Sequence, residues 1–152
     1  MRISSPEFQD GGRIPKEFTC EGRNLSPRLE FHDVPENARS LALILDDPDA
    51  PSGTFVHWLI WNLGPDTDGL AAGAVPDGPA PGAEEGSNSA GRKGYTGPCP
   101  PRGHRDHHYR FTLYALDQRL QLKPGADRRA LDGAMKGHIL AEARVTGLYA
   151  RG

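Results

Sequence analysis

Two stretches of the chain hold side chains that could do chemistry together. In GYTGPCPPRGHRDHHYRF (residues 94–111), Cys99, His104, His107, His108 and Tyr109 follow one another closely among prolines and glycines. Pro98, Pro100 and Pro101 each fix φ and remove a backbone donor, so the segment before the histidines reads as a stiff loop. In LDDPDAPSGTFVHW (residues 45–58), Asp46, Asp47 and Asp49 sit in a proline turn ahead of His57. Imidazole titrates near neutral pH, so a clustering of histidines with acids and a phenol invites a chemical reading.

Four readings compete. Histidines and aspartates are acceptable metal ligands, but HxxHH on a loop is a poor metal pattern. Cys99 could be an activated thiolate, yet it stands between two prolines with no orienting group. Acid and nucleophile for glycoside hydrolysis need separation across a groove, and the three aspartates share one turn. A small anion pocket remains: imidazolium and phenol donate to phosphoryl or carboxylate oxygens, helped by glycine N–H groups. In that pocket an aspartate bonded to the far nitrogen of His57 would fix its tautomer and favour the charged ring. Taken singly, the aspartates read as turn formers, Tyr109 as packing, and His104 and His108 as solvated loop groups.

The elements that must position these groups are legible as apolar patterns. SLALILD (40–46) is apolar at successive positions, as a strand buried on both faces would be. FVHWLIWNL (55–63) is a second central strand, with Phe55, His57, Leu59 and Trp61 on one face. HYRFTLYAL (108–116) alternates, placing Tyr109, Phe111, Leu113 and Ala115 on the face shared by His107. Residues 64–94 hold few large apolar groups, and a loop of that length is usually functional or mobile. Residues 127–143 have helical spacing, with Asp127 as N-cap, followed by a last strand at 144–150. Short strands are expected near 16–20 and 28–33.

At 152 residues, one domain spanning 1–152 is the expectation. The 19 glycines and 14 prolines, spread through the chain, call for many turns and hence mostly β structure. With 18 basic and 20 acidic side chains there is no concentrated charge for nucleic acid. No apolar run approaches a membrane span, and no leader is visible, so the sequence reads as cytoplasmic without integral membrane association. In that compartment Cys20 and Cys99 are expected as reduced thiols.

DDPDAPSGTFVHWLIWNL and GYTGPCPPRGHRDHHYRFTLYALD resemble the two signature blocks of the phosphatidylethanolamine-binding protein family. The nearer match is its bacterial and archaeal Raf-kinase-inhibitor-like branch, often called YbhB/YbcL. GGRIPKEFTCEGRNLSPRLEF and MKGHILAEARVTGLYAR are similar to that branch's opening block and closing helix and strand. The resemblance implies an all-β fold of two antiparallel sheets with Greek-key connections and one or two short helices. It also implies a pocket for phosphate, acetate or a phospholipid head group. Its residues here would be Asp47, His57, Cys99, Pro100, Pro101, His107 and Tyr109. No catalytic residue, metal or cofactor is assigned. His108 stands where the family's triplet carries arginine, and Phe55 where eukaryotic members carry tryptophan. Family links extend to kinase and protease inhibition and, in branch relatives, to homodimers; a Cys20–Cys99 bridge is conceivable because both blocks flank the pocket. The rival function is a hydrolase of a small phosphorylated or acylated metabolite, with His57 as general base.

Overall fold

The computed structural model describes residues 1–74 and 82–152. Its elements are β1 (Arg2–Ser4), β2 (Leu29–His32), β3 (Ser40–Asp47), β4 (Phe55–Leu63), β5 (Gly69–Leu70), β6 (Glu84–Glu85), β7 (His107–Leu116), α1 (Arg128–Met135) and β8 (Ile139–Tyr149). They form two antiparallel sheets, one ordered β1-β2-β5 and one ordered β6-β4-β3-β7-β8. After β4 the chain adds β5 to the small sheet and β6 beside β4, and β7 then takes its place on the far side of β3, an order of the Greek-key kind.

The three strands read from apolar runs are those that make the centre of the large sheet. Every residue of β3 is buried, as its unbroken apolar run requires. Odd-numbered Leu41, Leu43 and Leu45 pack with Phe111 and Leu113 toward the small sheet. Even-numbered Ala42 and Ile44 pack with Tyr114, Leu131 and Met135 toward α1. The large sheet is therefore covered on both faces, by the small sheet on one and by the helix on the other.

Three expectations are corrected. Residues 16–20 are no strand: Pro15 leads into a 3-10 turn, Lys16–Phe18, closed by the Thr19 hydroxyl donating to the Lys16 carbonyl at 2.8 Å. A single apolar residue, Phe18, is buried there, so no alternating face exists to anchor a strand. The helix ends at Met135 instead of 143, although Asp127 caps it at Ala130 N, 2.9 Å away. Gly137 takes φ of 82°, a conformation that stops a helix at low cost. Ile139 onward then joins β7 in a long ladder. Leu131, Met135 and Ile139 have helical spacing, but the ladder's backbone bonds win the last of the three. In the 64–94 stretch, β5 and β6 are short pairings, and 75–81 lie outside the described residues.

The third correction concerns faces. Strand β3 pairs Leu45 with Trp58 but Asp46 with Val56, so β4 carries one extra residue, His57. This is a β-bulge, which re-aims a side chain and changes parity. Beyond it, Val56 packs with Leu59 and Trp61, while Trp58 and Ile60 belong to the opposite face. His57 therefore leaves the Leu59–Trp61 face to which strict alternation assigned it, and its ring meets Tyr109 edge-on at 5.4 Å. No helix among the described residues is long and apolar enough to cross a membrane.

Candidate functional site

The end of β3 delivers two consecutive acids to opposite faces of the sheet. Asp46 points toward α1, where it accepts from Arg110 Nε and Nη2 (2.7 and 3.0 Å) and from Arg128 Nη1 (3.0 Å). Asp47 points the other way. Its Oδ1 accepts from the Asp49 backbone at 2.8 Å, pinning the proline turn, and its Oδ2 accepts from His107 Nδ1 at 2.7 Å.

Strand β7 supplies His107 and Tyr109 two residues apart, hence on one face. Their rings stack with centroids 6.4 Å apart. The bulge adds His57. Its Nδ1 lies 2.6 Å from the Thr96 carbonyl, and the Thr96 N–H returns a bond to the His57 carbonyl at 2.9 Å. A carbonyl only accepts, so Nδ1 carries the hydrogen and Nε2 of the neutral ring is an acceptor. Asp47 is thus the partner of His107, and a backbone carbonyl orients His57. Burial, the largest influence, holds the His57 pKa below its ordinary value, outweighing Thr96, Asp47 and Asp46, which favour the charged ring. The expected upward shift is overturned: the ring is 4 % exposed, and desolvation of the cation exceeds the attraction of the carboxylates.

The stiff loop closes the site. Gly97 lies so near Asn24 and the Phe18 carbonyl that a Cβ would collide with both, and its N–H donates to Asn24 Oδ1 at 2.9 Å. Cys99 is bonded to Cys20 in a disulfide, joining the loop to the segment after the 3-10 turn. Both cysteines are therefore oxidised, not the reduced thiols a cytosolic chain would carry, and a Cys99 thiolate nucleophile is excluded while the bridge is closed. The reason is tertiary: the 20 and 99 backbones already run together, with Cys20 N donating to the Pro98 carbonyl at 3.1 Å.

These parts enclose a cavity of about 210 Å³. Asp47, His57, His107 and Tyr109 line it, and Cys99, Pro100 and Pro101 form its wall, so all seven residues named from the sequence converge. Sequence reasoning missed the contributions of Thr96, Ala50 and Pro51. Thr96 acts through its carbonyl, which no side-chain motif announces. The Tyr109 hydroxyl is fully buried and has no hydrogen-bond partner among the described residues. Burial first, then the nearby Asp47 carboxylate, raises its pKa, so it stays a protonated donor. Among the described residues Trp61 Nε1 is the other buried polar side-chain atom without a partner, and it lies under α1. The remaining histidines are divided: His104 Nδ1 faces His107 Nε2 at 3.3 Å, and His108 pairs with Asp49 at 2.7 Å. No cluster of three or more metal-ligating side chains forms among the described residues.

The model for phosphatidylethanolamine-binding protein matches residues 4–150. The chain belongs to the phosphatidylethanolamine-binding protein family. It is 50 % identical over 157 residues to a UPF0098 protein of Methanothermobacter thermautotrophicus, covering 100 % of both chains. It is 43 % identical over 149 residues to a Mycobacterium tuberculosis protein whose name marks it as a candidate lipoprotein, LppC; that match covers 98 % of this chain and 72 % of the relative. The crystal structure of Escherichia coli YbcL, described as a member of the mammalian family, superposes with a TM-score of 0.92 at 30 % identity, covering 99 % and 98 % of the two chains. Membership in this family supports a ligand-binding role.

Proposed function

We propose that this family member is a non-catalytic binding protein whose pocket takes a phosphoryl-type or carboxylate anion, free or as a head group. The observation that carries this reading is the Tyr109 hydroxyl, a buried donor beside the Asp47 carboxylate that makes no hydrogen bond of ordinary geometry, on a ring that lines the cavity next to His57. Leaving such a group unsatisfied costs about 1–3 kcal/mol, so a fold that retains it gains when an acceptor arrives. Titration calorimetry with inorganic phosphate tests the proposal. Binding is expected, with Tyr109→Phe weakening it by about 1.5–3 kcal/mol, the range for a bond to a charged partner. A loss below about 0.3 kcal/mol returns Tyr109 to packing, since bonds to charged groups exceed that figure severalfold.

Inhibition of a kinase or protease, through a phosphorylated group of the partner seated in the pocket, belongs to the same proposal. It predicts that millimolar phosphate competes the partner away. Cytoplasmic residence must accommodate the Cys20–Cys99 bridge, both cysteines being exposed, because reducing cytosols open accessible disulfides. Thiol trapping in intact cells decides it: alkylated cysteines point to a reducing cytosol and protected ones to an oxidising compartment.

A further inference from the structure

The donors and acceptors around the cavity are unequal. Asp47 brings a carboxylate whose two oxygens already take the Asp49 N–H and the His107 Nδ1–H, leaving lone pairs but no hydrogen to give. His57 is fixed by Thr96 in the tautomer whose Nε2 accepts. No hydrogen bond to Nε2 forms among the described residues, and His57 lines the cavity. Against these two acceptors stands the Tyr109 hydroxyl, a phenolic donor beside Asp47 that makes no hydrogen bond of ordinary geometry among the described residues. Three of the lining residues, Pro51, Pro100 and Pro101, have no N–H at all. A fully ionised oxyanion placed here would set its lone pairs against those of Asp47 and His57.

We infer that the pocket selects oxyanions that bring a proton with them, phosphomonoesters bound as the monoanion, over diesters and sulfate. This rests on the anion reading above and narrows it, disfavouring carboxylates and diester head groups, which carry no proton near neutrality. The phosphoryl O–H donates to Asp47 or to His57 Nε2, an unprotonated oxygen accepts from Tyr109, and the proton comes from the buffer when the free ligand is the dianion. Monoesters carry that proton readily because their second pKa is about 6. Sulfate and diesters lack it near neutrality, so they must instead protonate His57, which burial opposes. The charged and titratable groups around His57 are Asp47 at the end of β3 and His107 and Tyr109 on β7, with exposed His104 behind His107, while Asp46 acts on it by charge from the opposite face.

The test uses the intact, oxidised protein and three small probes: methyl phosphate, dimethyl phosphate and sulfate. Each is titrated by calorimetry near pH 7.5 in two buffers of different ionisation enthalpy. Methyl phosphate should bind at least about tenfold more tightly than the other two, the equivalent of one pKa unit, and take up about one proton per site. Asp47→Asn, which replaces an acceptor by an amide donor, should bring sulfate to within a fewfold of methyl phosphate. Sulfate or dimethyl phosphate binding as well as methyl phosphate to the unaltered protein, or methyl phosphate binding without proton uptake, overturns the selectivity while leaving the anion pocket standing. Failure of all three probes to bind overturns the anion reading itself. Should Asp47→Asn fold poorly, the comparison of probes and the proton count on the unaltered protein still decide.

Discussion

Asp46 and Asp47 are neighbours in sequence and opposites in environment. On the helix side, Asp46 is held by two arginines and every oxygen has a cationic partner. The ion pairs are so closed that Asp46, more than any other influence, raises the pKa of Arg110. On the pocket side, Asp47 meets an imidazole, and beside it stand an unpartnered phenol and a second imidazole that lines a cavity. Around Asp46 the charged groups satisfy one another, whereas around Asp47 a buried phenol is left without a hydrogen bond of ordinary geometry. The difference teaches that a buried acid announces a site only when its surroundings are incomplete. A saturated cluster holds the fold, and the incomplete one is the basis of the binding proposal.

The comparison can be broken from either side. The largest effect should come from the pocket side's covalent tie. Cys20→Ser/Cys99→Ser is expected to lower stability by about 2–4 kcal/mol in urea unfolding, because the bridge closes a long loop of 79 residues' separation. Anion affinity should weaken with it as the Pro98–Pro101 wall loosens. Next, Asp46→Ala leaves two arginines facing each other. A loss of about 2 kcal/mol is expected, discounted from the fully buried case because both guanidinium groups are near a third exposed. Anion affinity of the folded fraction should be unchanged; a matching loss of affinity would show that the two faces are not independent.

Tyr109→Phe sharpens the contrast, because stability and binding should part company. Removing an unsatisfied buried hydroxyl should leave the unliganded protein as stable as before, or more stable by up to about 1 kcal/mol, while anion binding falls. A destabilised unliganded variant would mean that the hydroxyl has an internal partner after all.

The pH dependence separates bound from free protein. With its folded-state pKa lowered, His57 stabilises the free protein above its unfolded pKa of about 6.5. That contribution is lost as pH falls through the folded value, because the unfolded chain takes the proton first. His57→Gln should flatten this part of the unfolding profile between about pH 5 and 7.5, relative to the parent. With methyl phosphate bound the slope should reverse above about pH 6.5, where the free ligand is mostly the dianion and the complex holds a proton that the free pair lacks. The smallest effect belongs to Asp132→Ala, which removes an exposed pair with Arg128 one helical turn away and should cost only about 0.3–0.5 kcal/mol.

Much of this was readable in advance, and the parts that were not share a cause. Strand β4 was legible residue for residue and β3 and β7 to within one residue, because unbroken or alternating apolar runs leave the backbone no other way to bury them. His107 and Tyr109 share a face because a strand repeats every two residues. The turn at DDPDAP and the stiffness of GPCPP follow from proline itself. Those local rules, together with the two blocks resembling the family's, sufficed to name seven residues that line or wall one cavity.

Tertiary structure decided the rest. Only the register of β3 against β4 makes His57 the extra residue of a bulge and turns it toward Tyr109. Only the approach of residues 20–24 to 97–99 closes the disulfide and hands Thr96 to His57. Only the ladder with β7 ends α1 at Met135 and draws Ile139 into β8. Local patterns reflect energies between residues near in the chain. Partners, faces and protonation depend on groups brought together from elsewhere in the chain, up to 79 residues away for Cys20 and Cys99, and on how completely burial strips them of water.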